Sequence, residues 1–270
     1  MSADFNHPPV VMVFAGLDPS GAAGIQADIE AIASLGAHAA PLITALTIQD
    51  TAQFLRLEPV DPAFLWGQAR LILDDIPIAG FKIGLIGSAA VAEVIQAVLD
   101  DHADLPVVLD PVLAAGSGTP TADDATLNAI KGLLPRVTLC TPNSPELWRF
   151  TDQPKSSLAS AAQRLIELGA KHVLLTGTHE ATDQVRNVLY GPEGLIQAWQ
   201  WGRLPGEYHG SGCTLAAACA ALLARGVPLL EAVEEAQTYT WEALQNGYRI
   251  GRGQQHPNRF FWKPKALLGD

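Results

Sequence analysis

The chain has 270 residues, 48% of them hydrophobic and only 17% charged, with a formal net charge of −11. That length and apolar content allow a sizeable core in one or two α/β units, while acidity without a basic patch disfavours nucleic-acid binding, and no apolar run reaches membrane-spanning length. The three cysteines, Cys140, Cys213 and Cys219, are too few and too scattered for a disulfide framework or a zinc site, and they suit a reducing cytoplasm.

Residues Met1–Pro9 lack the apolar centre of a secretory signal. Val10–Ala15 is an apolar run that reads as a buried strand. It leads into Gly16-Leu17-Asp18-Pro19-Ser20-Gly21-Ala22-Ala23-Gly24 and then a helix expected over Ala22–Leu35. A strand, a glycine-rich turn and a helix place a ligand loop at the carboxyl edge of an α/β sheet. The turn has neither the G-x-G-x-x-G dinucleotide fingerprint nor the G-K-[ST] of a P-loop, which counts against a Rossmann oxidoreductase and a Walker-type ATPase.

Further strands are expected over His38–Thr47, Gly80–Ile86, Pro106–Leu109, Val137–Thr141 and His172–Thr176. Helices are expected over Pro62–Asp74, Ala89–Leu99, Asp123–Leu134, Pro145–Phe150 and Ser157–Leu168. This alternation predicts a mainly parallel sheet covered on both faces. Val185–Tyr190 and Leu195–Trp201 then read as an antiparallel pair, before helices over Gly212–Ala224 and Leu229–Asn246. No repeat or low-complexity linker divides the sequence, so residues 1–270 read as one domain.

Two places carry chemistry. In Asn143-Ser144-Pro145-Glu146 an amide and a carboxylate meet at a helix start. They can cap that helix or hold the waters of a hard cation. In Tyr208-His209-Gly210-Ser211-Gly212-Cys213-Thr214 small residues break the chain before an alanine-rich helix. The helix dipole there suits a phosphate or a developing anion and would lower the Cys213 thiol pKa. The plainer reading of Cys213 is a packed cysteine at a helix start; Cys219 and Cys140 read as core residues.

Taken in order, these loops resemble those of the hydroxymethylpyrimidine/phosphomethylpyrimidine kinases of thiamine biosynthesis, in the ribokinase-like superfamily. The resemblance runs on through Ile43-Thr44-Ala45-Leu46-Thr47-Ile48-Gln49-Asp50-Thr51, Lys82-Ile83-Gly84-Leu85-Ile86-Gly87-Ser88 and Val108-Leu109-Asp110-Pro111-Val112, spanning about Val10 to Gly253. It implies a three-layer α/β/α sandwich with a mainly parallel central sheet. It implies ATP and Mg²⁺ as cofactors and a small-molecule pyrimidine as partner, in a cytoplasmic homodimer with no membrane or nucleic-acid partner. The activity implied is phosphorylation of 4-amino-5-hydroxymethyl-2-methylpyrimidine to its monophosphate and then its diphosphate.

Carried over residue by residue, the resemblance makes Cys213 the base for the acceptor hydroxyl, with Gly210, Ser211 and Gly212 forming the anion hole. Gly16, Ala23, Asp28, Gln49 and Val112 fall at the acceptor positions. Asp110, Asn143, Glu146 and Thr176 fall on the nucleotide side, with Glu146 and Asp110 near the metal through water. Asp110 alone, before Pro111, would pass for a turn residue.

The chain departs from the common pattern at Leu85, where methionine is frequent, and at Gly116 and Thr176, where lysines are frequent. Lys82 and Arg203 are the nearest candidate replacements for those cations. The tail Gly251-Arg252-Gly253-Gln254-Gln255-His256 matches the family only in part. A pyridoxal or pyridoxine kinase of the same fold and a non-catalytic ligand-binding relative are the competing readings.

Overall fold

A computed structural model describes residues 7–114, 119–151 and 157–263. Gly116 lies outside them. Among the described residues, nine strands form one sheet in the order β3-β2-β1-β4-β5-β6-β7-β8-β9. β1 (Val10–Leu17), β2 (His38–Gln49), β4 (Ile78–Ile83), β5 (Val107–Leu109), β6 (Leu139–Cys140) and β7 (Val173–Leu175) are parallel neighbours. β3 (Phe54–Pro59), β8 (Gln184–Gly191) and β9 (Gly194–Gly202) join antiparallel at the two edges.

Alternation along β1 sorts the two cores. Met12 and Phe14 point to one face, where they pack with α2 (Pro62–Asp75), α3 (Ala89–Asp100), α4 (Asp124–Leu133), α5 (Ser144–Thr151) and α6 (Leu158–Glu167). Val11, Val13 and Ala15 point to the other, against α1 (Gly24–Ser34), α7 (Ser211–Ala224) and α8 (Leu229–Gln245). The small residues of α7, Ala216 to Ala218 and Ala220 to Ala221, are buried and let that helix lie close to the sheet. This is the expected three-layer α/β/α arrangement.

The sequence misses β3. Its Phe-Leu-Arg-Leu-Glu-Pro run is half charged or exposed and pairs only at the sheet edge, so no buried apolar pattern marks it. β1 and β2 also run further than expected, to Leu17 and Gln49, because Leu17 pairs with Leu46 beyond a bulge after Ala15 while Ile48 and Gln49 pair with Arg56 and Phe54 of β3. The first glycine turn is therefore partly strand, and α1 begins at Gly24 rather than Ala22.

Several helix starts follow from their caps. Asp61 accepts from the N–H of Ala63, Ser88 from Val91 and Asp123 from Thr126. The parallel strands all end on one side, so Gly16, Leu85, Asp110, Thr141 and Thr176 gather at a single carboxyl edge.

Candidate active site

Both glycine loops open at that edge, into one cavity of about 580 Å³. In the first loop the Asp18 carboxylate is the hub. It accepts from the Ser20 N–H (2.9 Å), the Ser20 hydroxyl (2.8 Å) and the Ala23 N–H (2.9 Å). His209 Nε2 from the second loop lies 3.3 Å away. Burial would raise the Asp18 pKa, but the nearby His209 and the Ser20 hydrogen bonds outweigh that effect and lower it. The two loops abut because Gly210 has no side chain: a Cβ there would sit 1.9 Å from the Ala22 carbonyl oxygen, and its φ of 80° is left-handed.

Gly210 is the N-cap of α7 and offers no side-chain cap, so Ser211, Gly212 and Cys213 present their N–H groups in the first turn beside the cavity. Cys213 is half-buried, hydrogen-bonds Asp110 and accepts from the Gly24 N–H. Burial first, and the Asp110 carboxylate second, push its thiol up to about 12. The expected helix-dipole lowering is thus reversed: enclosure and a neighbouring anion exceed the fraction of a charge at a helix start.

Gly16, Ala23, Gln49 and Val112 line one half of the cavity. Gln49 Nε2 donates to the Thr47 hydroxyl at 2.9 Å. The structure places Asp28 differently from the others. Its side chain has no exposed surface and does not reach the cavity wall. Lys82, which does stand at that wall, holds it, with Nζ 2.8 Å from Oδ1 and 2.9 Å from Oδ2. Only Oδ2 receives a well-aligned hydrogen bond. Burial pushes the Asp28 carboxyl up to about 6 against the pull of Lys82. Burial also opposes the Lys82 charge, but Asp28, Cys213 and Asp110 outweigh it and keep the ammonium protonated. Gly84 leaves room for this lysine, since a Cβ there would lie 2.7 Å from Nζ.

On the other half, Asn143 and Glu146 form a reciprocal capping box. The Asn143 N–H donates to Glu146 Oε2 and the Glu146 N–H donates to Asn143 Oδ1, each at 2.9 Å. The pair thus caps α5 while lining the cavity. Glu146 is pushed up to about 8, by burial and then by the Asp110 carboxylate. Asp110 is raised as well, by burial, against the pull of Lys82 and Cys213. Two crowded, buried carboxylates at a cavity wall suit a hard cation that keeps most of its own waters. Among the described residues no group of three or more His, Cys, Asp or Glu is arranged to hold a metal by itself.

Both replacement cations line the cavity and already have partners. Lys82 is committed to Asp28, and Arg203 donates to the carbonyls of Thr178, Glu180 and Thr182 at 2.8–3.0 Å. Thr176 lines the cavity with its hydroxyl directed to the Pro142 carbonyl, 3.4 Å away. Sequence reasoning passed over Asp18, whose signal was the turn-forming Asp-Pro-Ser-Gly, and Arg259, which no local pattern marks. Arg259 is 2% exposed and bonds to Thr214, Glu30 and the Ala22 carbonyl.

The family model for phosphomethylpyrimidine kinase matches residues 18–258. The thiamine biosynthesis bifunctional protein ThiED of Geobacter sulfurreducens is 36% identical over 247 residues, which are 90% of this chain and 50% of that protein. The chain thus spans about half of that relative. The hydroxymethylpyrimidine/phosphomethylpyrimidine kinase of Staphylococcus aureus is 31% identical over 97% of this chain and 98% of its own length. Among solved structures, an ADP complex of Bacillus subtilis pyridoxal kinase superposes with a TM-score of 0.86 at 24% identity, covering 94% of this chain and 98% of that one. That likeness confirms the ribokinase-like fold. With the family model running from Asp18 in the first glycine loop through the Asn143–Glu146 box to Cys213 and beyond, this chain belongs to the phosphomethylpyrimidine kinase family.

Proposed function

We infer that this chain, read as one kinase domain, phosphorylates 4-amino-5-hydroxymethyl-2-methylpyrimidine with ATP and then phosphorylates the resulting monophosphate. The observation that carries this reading is the meeting of Cys213, Asp110 and the start of α7 at the cavity shared by both glycine loops. Gly16, Ala23, Gln49 and Val112 receive the ring, and Asp28 acts on that half through Lys82. The N–H groups of Ser211, Gly212 and Cys213 bind the moving phosphoryl group. Glu146, Asp110, Asn143 and Thr176 serve the nucleotide side, where Mg²⁺ neutralises phosphate charge when bound.

The acceptor oxygen attacks the terminal phosphorus as the bond to the ADP oxygen breaks. Its proton passes to the Cys213 sulfur while the thiol proton passes to Asp110, whose proton affinity is raised. Cys213 thus works as a relay that starts protonated. We further place the enzyme in the cytoplasm and read it as a homodimer, the latter supported by Leu46 and Ile48, which are 49% and 55% exposed on β2, next to the edge strand. Light scattering tests that state.

The decisive assay measures ADP release with the hydroxymethylpyrimidine, its monophosphate and pyridoxal in parallel. Turnover of both pyrimidines, with pyridoxal slow, supports this assignment. Preference for pyridoxal would instead make it a pyridoxal kinase, and no turnover of any acceptor a non-catalytic relative.

A further inference from the structure

We propose that Arg259, near the far end of the chain, is a positioning residue that sets the gap between the acceptor wall and Cys213. The inference rests on the reading of Cys213 and Ala23 given above. Among the described residues Arg259 is the largest side chain with almost no exposure, at 2%. Its Nε donates to Thr214 Oγ1 at 2.9 Å. Nη1 donates to Glu30 Oε2 at 3.0 Å and reaches the Gly21 carbonyl at 3.5 Å, while Nη2 donates to the Ala22 carbonyl.

The places it grips are specific. Ala22 immediately precedes Ala23 and Gly24 at the cavity wall, and Thr214 immediately follows Cys213. A single planar guanidinium therefore spans the residue before the wall and the residue after the thiol. A rigid fork of fixed donors holds such a spacing where a flexible ammonium would not. Thr214 passes the constraint on, since its hydroxyl also donates to the Gly210 carbonyl at 2.8 Å. The arginine is itself fixed by the Tyr239 hydroxyl, which donates to its carbonyl at 2.9 Å. His256, three residues earlier, contacts the Ser20 carbonyl through Nε2 at 3.0 Å. The segment from Tyr248 to Phe261 thus holds three successive carbonyls of the first loop, those of Ser20, Gly21 and Ala22, from behind. A core needing only volume here could take an apolar side chain; the pattern of acceptors is what requires arginine.

The test compares Arg259→Lys, Arg259→Ala and Thr214→Val with the wild-type enzyme, as full chains. Arg259→Ala should lose about 10–100-fold in kcat, the scale of an ångström misplacement at a reacting centre. Its acceptor KM should rise while the KM for ATP stays put. Added methylguanidinium should restore part of the lost turnover, and Arg259→Lys should recover less than methylguanidinium does. Should Arg259→Ala fail to fold, Thr214→Val, which removes one anchor and leaves the Glu30 pair, should still raise the acceptor KM several-fold. Wild-type kcat and acceptor KM in Arg259→Lys or in Thr214→Val would overturn the proposal. Cys213→Ala runs alongside. If it is fully active, the reading of the site fails; if it is inactive while Arg259→Lys behaves as wild type, only this inference fails.

Discussion

A lysine and an aspartate without exposed surface, paired across α1 and β4, are costly to keep. Removing one partner strands the other. Lys82→Met should therefore destabilise the fold by about 3–5 kcal/mol. The double variant Lys82→Met, Asp28→Leu should regain most of that stability, as read by denaturant midpoints, yet lose acceptor affinity if the pair serves the ring. Cys213→Ala should keep the fold and lose about 10²–10⁴ in turnover. With its thiol pushed up to about 12, Cys213 is neutral at pH 7 and its thiolate fraction grows about tenfold per pH unit. Alkylation of the ligand-free enzyme should accelerate steadily up to about pH 10; a plateau near neutrality would contradict the enclosed thiol. At this scale the sequence marked Cys213, a thiol at a glycine-broken helix start, while Gln49 was picked out only by the family resemblance. It was not legible for the Asp28–Lys82 pair, because their separation of 54 residues vanishes only once α1 lies on the sheet.

The start of α5 shows one element doing two jobs. Asn143→Ala removes a cap and should cost about 1 kcal/mol. Glu146 supplies the pH signature. Its carboxyl is raised from 4.5 to about 8, so the folded state holds a proton that the unfolded chain releases. The stabilisation is complete below about pH 4.5 and is lost as pH rises towards about 8. Relative to Glu146→Gln, the wild-type melting temperature should therefore fall across that window. If Mg²⁺ binds at Glu146 as proposed, it must displace the same proton, so the stabilisation it brings should be larger at about pH 8.5 than at about pH 6. In Glu146→Gln that pH dependence should shrink. Most elements were readable from apolar period and caps. β3 was not, because an edge strand with Arg56 and Glu58 outward gives little alternation for burial to explain.

Across the whole molecule, the sheet order brings every parallel strand's carboxyl end to one edge, and both glycine loops close on each other there. Gly210→Ala is the sharpest test of that closure. A methyl 1.9 Å from the Ala22 oxygen must push the loops apart. Turnover should fall at least tenfold while circular dichroism stays that of the wild type. The layers and the shared edge followed from strand–helix alternation. What no local pattern conveyed was how the last residues return to the first loop, since such contacts depend on the finished topology alone.

That return has a consequence for how the enzyme comes into being. Arg259 and Gly21 are separated by 238 positions, and Arg252 and Asp50 by 202. During synthesis the amino-terminal strands can pair and bury their apolar faces long before residue 259 exists. The first glycine loop then waits with its carbonyls unanswered. Loops closed by such distant contacts form late, so the first-loop side of the cavity is expected to set late. A growing chain can thus pair its amino-terminal strands before the first loop is braced, and that bracing waits for the segment around Arg259 to dock.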